Sequence, residues 1–332
     1  MIGKSIGSRH VRAEHLGRGP VNERGPVDSG WRASARARQD AVGRPIRRLL
    51  DPVVPSLADA DEIVVVPDLH YPYHPSTGVV TDPAVVGSVL KHLGRETSAA
   101  LTVASAGDRG FPVDRTAEFL GYPAILERTG ASLLDLSSGV PSRRAGTGGK
   151  SFRVPDPLLD AAVVVVPTLR PTRAGHAAGA MRTLAAVVAG AAGSGDETPT
   201  GERAYAVTSA VAPELAIVDA TVAFAGEPVA TDVVFAGDPV TVDVVASDLL
   251  DRSVADDEAL RLGLERVGPA ERNDSETVSI QVEGAGIESA GESLSGGGLP
   301  PDDGVNGLVS TAYGLYARAT GDAVPPQLEG ER

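Results

Sequence analysis

Three carboxylates stand close together in PELAIVDATVAFAGEPVATDVVFAGDPVTVDVVASDLL, residues 213–250. Asp219 ends an apolar run, Asp238 opens the turn into an expected helix, and Asp243 lies on that helix. Carboxylates at a strand end and on the first turns of a helix can supply the oxygen ligands that a hard divalent cation such as Mg²⁺ requires. The same residues have a plainer use. Asp238 precedes Pro239 as an N-cap residue does, and Asp243 fits a solvated or ion-paired helix position. For Asp219 and Asp238 both uses stay open, metal ligand or structural carboxylate.

Histidines and arginines form the other chemical candidates. His70 and His74 lie four apart in LHYPYHP, a spacing that suits two metal ligands on a helix. Pro72 and Pro75 make the segment an extended loop, so it either lines a pocket with Tyr71 and Tyr73 or packs on a sheet edge. Arg170 and Arg173 follow the apolar run 163–166, where they either meet an anionic group or pair with surface carboxylates. The loop AGDRG at 106–110 offers backbone N–H groups to a phosphate but does not spell a dinucleotide fingerprint. GTGGK at 146–150 lacks the spacing of a P-loop.

Composition narrows the classes. The formal charge is −14, and Lys4, Lys91 and Lys150 are the only lysines among 30 basic residues. An acidic, Lys-poor, Ala/Val-rich chain fits either a halophilic source or a GC-rich genome. Either way a nucleic-acid partner is not expected, because phosphate binding needs a basic face. The absence of Cys excludes disulfides, thiolate zinc sites, Cys nucleophiles and Cys-ligated iron–sulfur clusters within this chain. Neither a membrane span nor a secretory signal is visible, so the expected compartment is the cytoplasm.

Positioning these residues requires a core built from Val, Ala and Leu, since aromatics make up only 4% of the chain. The runs 63–66 and 163–166 read as strands buried on both faces. Strands at 63–66, 101–104, 132–136, 163–166, 215–218, 232–235 and 277–283 alternate with helical patterns at 84–93, 176–189, 203–211 and 256–267. That alternation predicts an α/β fold with a mainly parallel sheet and flanking helices, its ligands met at the carboxyl ends of the strands. Residues 1–50 hold eleven Lys/Arg against four Asp/Glu and many glycines. They read as a basic, largely disordered arm, with a short helix at 36–50 interrupted near Pro45. Residues 51–284 form the main domain, 285–304 a Gly/Ser/Glu-rich linker, and 137–149 a loop. Apolar residues at 305, 308, 309, 312, 315, 316 and 319 predict a helix within 305–332.

Three blocks carry a family resemblance: VVVPDLHYPYHPSTGVVTDPAVVGSVLKHL (64–93), LLDAAVVVVPTLRPTRAGHAAGAMRTLAAVV (158–188) and LAIVDATVAFAGEPVATDVVFAGDPVTVDVVASDLL (215–250). Their order and spacing resemble the DUF362 family, a domain of unknown function sometimes joined to iron–sulfur ferredoxin modules. The resemblance runs over about 60–284. Members commonly carry Lys-Thr-His where this chain has Arg170-Pro171-Thr172, Lys-Asn where it has Arg182-Thr183, and Asn where it has Asp68. Arg stays protonated and cannot serve as a proton-transfer base, which puts a Lys/His-dependent reaction of the family in question here; His176, four residues after Thr172, could replace the lost His. Two functions follow from the resemblance. One is an enzyme or binder that takes a small anionic or metal-associated ligand in the strand-end cleft. The other is a non-catalytic interaction or regulatory partner of a redox protein.

Overall fold

The computed structural model describes residues 10–17, 31–70, 72–73, 75–107, 112–147, 149–172, 174–192, 200–267 and 280–295. Strand β1 (His10–His15) is followed by helix α1 (Trp31–Leu50) and the short helix α2 (Val54–Leu57). An alternation then begins with β2 (Glu62–Pro67), α3 (Pro83–Glu96), β3 (Ala100–Ser105), α4 (Val113–Leu120), α5 (Tyr122–Thr129) and β4 (Ser132–Asp135). A hairpin of β5 (Ser142–Ala145) and β6 (Phe152–Pro155), with helix α6 (Asp156–Asp160), leads into β7 (Ala162–Val166). Helices α7 (Gly179–Ala191) and α8 (Gly201–Val211) connect β7 to β8 (Leu215–Ala220). A small ribbon, β9 (Ala223–Phe224) and β10 (Pro228–Val229), precedes β11 (Val233–Gly237) and α9 (Pro239–Leu249). Last come α10 (Glu258–Val267), β12 (Gln281–Gly284) and α11 (Ile287–Leu294).

Eight strands form one sheet in the order β12-β1-β11-β8-β7-β2-β3-β4. From β8 to β4 every pairing is parallel, and β11 is antiparallel to both β8 and β1. Ile63, Val64, Val65 and Val66 of β2 are completely buried because both sheet faces are covered. Val64 and Val66 join one core with Met181, Leu184, Val207 and Val242, whereas Ile63 and Val65 join the other with Ile46, Val89, Leu90 and Ile125. The period of two along the strand thus assigns α7–α11 to one layer and α1 and α3–α5 to the opposite layer. Among the described residues no helix is long and apolar enough to cross a membrane.

The structure departs from the sequence reading at both ends. Residues 1–50, read as a largely disordered arm, contain β1, which sits between β11 and β12 and buries Val11 and Ala13. Helix α1 continues through Pro45, since Val42, Ile46, Leu49 and Leu50 recur at helical spacing and bury themselves in the α3 layer. Their burial outweighs the hydrogen bond lost at the proline. Within the expected 285–304 linker, α11 forms because Ala290 and Leu294, four apart, bury against the core. The 137–149 loop likewise contributes β5, paired with β6. The helix expected within 305–332 lies outside the described residues.

Candidate functional site

The chain leaves β2 for β3 on one side and leaves β7 for β8 on the other, so the winding direction reverses between β2 and β7. A crevice opens at such a point, beyond the carboxyl ends of the two strands. The loop after β2 places Asp68 there, almost wholly buried. Asp68 Oδ2 accepts from the Thr168 N–H at 3.1 Å, and Oδ1 accepts from the Thr183 hydroxyl of α7 at 3.0 Å. Thr81 ties the loop to β7: its hydroxyl accepts from the Asp68 N–H at 3.0 Å and donates to the Val166 carbonyl at 2.6 Å. Arg170 Nη2 and His70 Nδ1 each stand 3.8 Å from Asp68 Oδ1. For the Arg170 guanidinium that is close enough for charge attraction, and for both groups it is too far for a hydrogen bond.

Arg170 differs from its neighbours in what it lacks. Its guanidinium donates no hydrogen bond to a described residue, although Nε is fully covered. Two residues on, the hydroxyl of the buried Thr172 is also covered and also has no partner. The segment is held in place by its backbone: Ala178 N–H donates to the Arg170 carbonyl at 2.8 Å, and Thr172 N–H donates to the His176 carbonyl at 2.6 Å. Leaving a buried polar group unsatisfied costs about 1–3 kcal/mol, and this loop carries two such groups.

Asp219 ends β8 on the same side of the sheet, with both oxygens engaged. Oδ2 accepts from the Asp82 N–H at 2.7 Å, and Oδ1 accepts from the Thr221 N–H at 3.0 Å and hydroxyl at 2.7 Å. Asp82 is the N-cap of α3, accepting from Ala84 N–H at 2.8 Å, and receives Arg38 Nε of α1 at 2.6 Å. Asp219 is thereby a fastener between β8 and the α3 N-terminus. Burial first, then the Asp82 charge, pushes its carboxyl from 3.8 up to about 6, against the hydrogen bonds from Asp82 and Thr221. Tyr122, buried in the α5 layer, has its hydroxyl pushed up by burial and by Asp82, Asp219 and Asp68, and that hydroxyl has no partner.

The other two carboxylates of the 213–250 stretch do not join Asp219. Gly237 pairs with Ala216, so Asp238, one residue further, follows at the opposite end of β8, four register positions and about 13 Å from Asp219. The cause is the antiparallel direction of β11. Asp238 caps α9 by accepting from Val240 N–H at 3.0 Å, and burial raises its carboxyl. Asp243 caps a different helix: it accepts from Ala180 N–H at 2.6 Å and Met181 N–H at 2.9 Å at the start of α7, where Ala178 offers no side-chain cap. Among the described residues no group of three His, Cys, Asp or Glu is placed to hold a metal ion.

Burial drives Asp243 from 3.8 up to about 7, over the opposing backbone hydrogen bonds. A carboxyl raised in the folded state binds its proton more tightly than in the unfolded chain. Its contribution to stability is therefore full below 3.8 and is lost as pH rises towards about 7 for Asp243 and about 6 for Asp219. Asp243→Asn removes one of these titrations. Between about pH 4 and about pH 8 the native chain should lose at least about 1 kcal/mol relative to Asp243→Asn in urea denaturation. A gap that does not vary with pH would contradict the raised carboxyl.

The residues that depart from the family pattern in α7 have structural partners. Arg182 forms a bidentate pair with Asp257, Nη1 to Oδ2 at 2.7 Å and Nη2 to Oδ1 at 2.8 Å, with both groups buried. Thr183 holds Asp68. His176 Nδ1 stands 3.9 Å from Asp257 Oδ2, so it belongs to that pair's surroundings. His74 and Arg173 lie outside the described residues. Of the residues singled out in the sequence, the structure gathers Arg170, His70 and Asp219 on the carboxyl-end side. It adds Asp68, Thr172 and Asp82, which sequence reasoning did not select. Asp68 directly follows an apolar strand run, and that strand-end position was the available signal.

No curated protein and no solved structure matches the chain. The family described as a domain of unknown function, DUF362, matches residues 63–248, from the first residues of β2 to the end of α9. That match covers more than half of the 332 residues and includes every element bordering the crevice, so the chain belongs to the DUF362 family.

Proposed function

We propose that the chain binds a small anionic ligand in the crevice beyond β2 and β7, with Arg170 as the charge partner. The supporting observation is the Arg170 guanidinium, whose side chain is 20% exposed and which donates no hydrogen bond to a described residue. Arg182 on the adjoining helix has its full complement from Asp257 and is not available to a ligand. Asp68, itself fixed by Thr168 and Thr183, steadies Arg170 without saturating it. His70 borders the same oxygen and gives the site a group able to donate or accept a proton.

The test is calorimetric titration of the full chain with small carboxylates and inorganic phosphate, comparing native protein with Arg170→Gln. Losing a charge-assisted hydrogen bond should weaken binding by about 10- to 100-fold. Arg170→Lys should recover only part of it, because the planar fork is lost. Arg95→Gln, at an exposed site on α3, should bind as the native protein does. Equal affinity in Arg170→Gln, or no heat with any of these anions, would overturn the reading.

A further inference from the structure

We infer that His176 is the second ligand-binding side chain of the crevice and hydrogen-bonds the oxyanion that Arg170 holds, an inference that rests on the anion-binding reading above. The register of the loop after β7 places it there. Thr172 N–H donates to the His176 carbonyl and Ala178 N–H to the Arg170 carbonyl, with Pro171 and Ala177 bridged antiparallel between them. Thr172 therefore stands opposite His176, and Arg170 opposite Ala178. In an antiparallel ladder residues directly opposite share a face, and so do residues two apart on one strand. Arg170, Thr172 and His176 thus lie on one face, and Pro171 and Ala177 on the other. Arg170 and His176 are diagonal neighbours on that face, about 7–8 Å apart at the backbone and within reach of each other's side chains.

Both groups are open to solvent. The Arg170 side chain is 20% exposed, and Nε is its covered nitrogen, which leaves the two Nη groups as the accessible end. The His176 side chain is 29% exposed, and its ring makes no hydrogen bond to a described residue. Asp257 Oδ2, 3.9 Å from Nδ1, lies beyond hydrogen-bond reach and is already taken by Arg182. With Nδ1 on the Asp257 side, Nε2 is the nitrogen left for a ligand. The carboxylates bordering the two groups, Asp68 and Asp257, are gripped by Thr183 and Arg182, adjacent residues of α7, so one helix steadies both ends of the site. Guanidinium only donates, and an imidazole Nε2–H donates beside it. The ligand therefore needs two acceptor oxygens on one small oxyanion, which a carboxylate and a phosphate both provide.

The experiment titrates the full chain with acetate and with inorganic phosphate at one ionic strength, following the histidine ring resonances by NMR alongside calorimetry. The His70 and His176 signals are assigned by their loss in His70→Gln and His176→Gln. In the native chain the His176 signal should shift along a saturation curve whose midpoint matches the calorimetric one for at least one of the two anions. The signal of His92, buried on α3 against Asp51, should stay still. His176→Ala should weaken that anion by about 5- to 10-fold, the equivalent of one hydrogen bond, at an unchanged melting temperature. His176→Gln, which keeps an N–H donor, should recover part of the loss. A His176 signal that stays still while Arg170-dependent binding proceeds, or native affinity in His176→Ala, would overturn the role of His176 and leave the anion-binding reading in place. Neither heat nor shift with either anion would overturn both.

Discussion

Arg182→Met is expected to destabilise the fold by about 3–5 kcal/mol, the loss typical of breaking one side of a buried ion pair. The size follows from what would remain. Asp257 is 1% exposed and holds its charge against a bidentate guanidinium at 2.7 and 2.8 Å. It also caps α10, accepting from Ala259 N–H at 2.9 Å, so its carboxylate cannot turn to solvent without releasing that helix. With methionine at 182 the carboxylate keeps only the α10 N–H groups and His176 at 3.9 Å. Urea denaturation measures the change. The second arm is Arg182→Met with Asp257→Asn, which leaves a neutral cap: the double variant should be more stable than Arg182→Met alone by at least about 1 kcal/mol. A single-variant loss under about 1 kcal/mol would mean that the pair is no more than a surface contact.

The pair also shows what could be read in the sequence and what could not. The strands 63–66 and 163–166 were legible because a run of β-branched residues buried on both faces needs no partner information. The crevice location was legible too, since strand–helix alternation puts sites at strand ends. Partners distant in sequence were not. Arg182 and Asp257 are 75 residues apart, and Arg38 and Asp82 are 44 apart, with nothing in either neighbourhood to mark them. Asp219 and Asp238 look like one cluster from strand-end and helix-start positions alone, which leave the direction of β11 open. The signal that separates them is the link: 221–232 is short for a helical crossover and is broken by Gly226 and Pro228, and a strand reached by such a link runs antiparallel. Strand β1 was hidden for a different reason. Six residues flanked by Gly-rich, basic sequence carry too little pattern, and its place depends on pairing with β11, more than two hundred residues later.

Gly179→Ala is the second large effect, and it links the fold to the site. Gly179 has φ +53°, where a side chain already costs about 1–2 kcal/mol. A Cβ there would also fall within 2.6 Å of Asp243 Oδ2, inside van der Waals contact. The carboxylate cannot retreat cheaply, because it is the acceptor for the Ala180 and Met181 N–H groups that begin α7. Losing that cap adds about 0.5–2 kcal/mol, so Gly179→Ala should cost about 2–4 kcal/mol in all. A double-mutant cycle separates the two causes. In an Asp243→Ala background the carboxylate is gone, the Cβ has space, and the further loss on adding Gly179→Ala should shrink to the backbone strain alone, about 1–2 kcal/mol. Strict additivity would show that the contact with Asp243 is not what requires glycine. The Arg170 carbonyl is held by the Ala178 N–H, immediately before Gly179, so displacing the α7 start should also weaken anion binding at Arg170. The Asp243→Ala chain should show the same weakening, since it frees the same helix end by a different route.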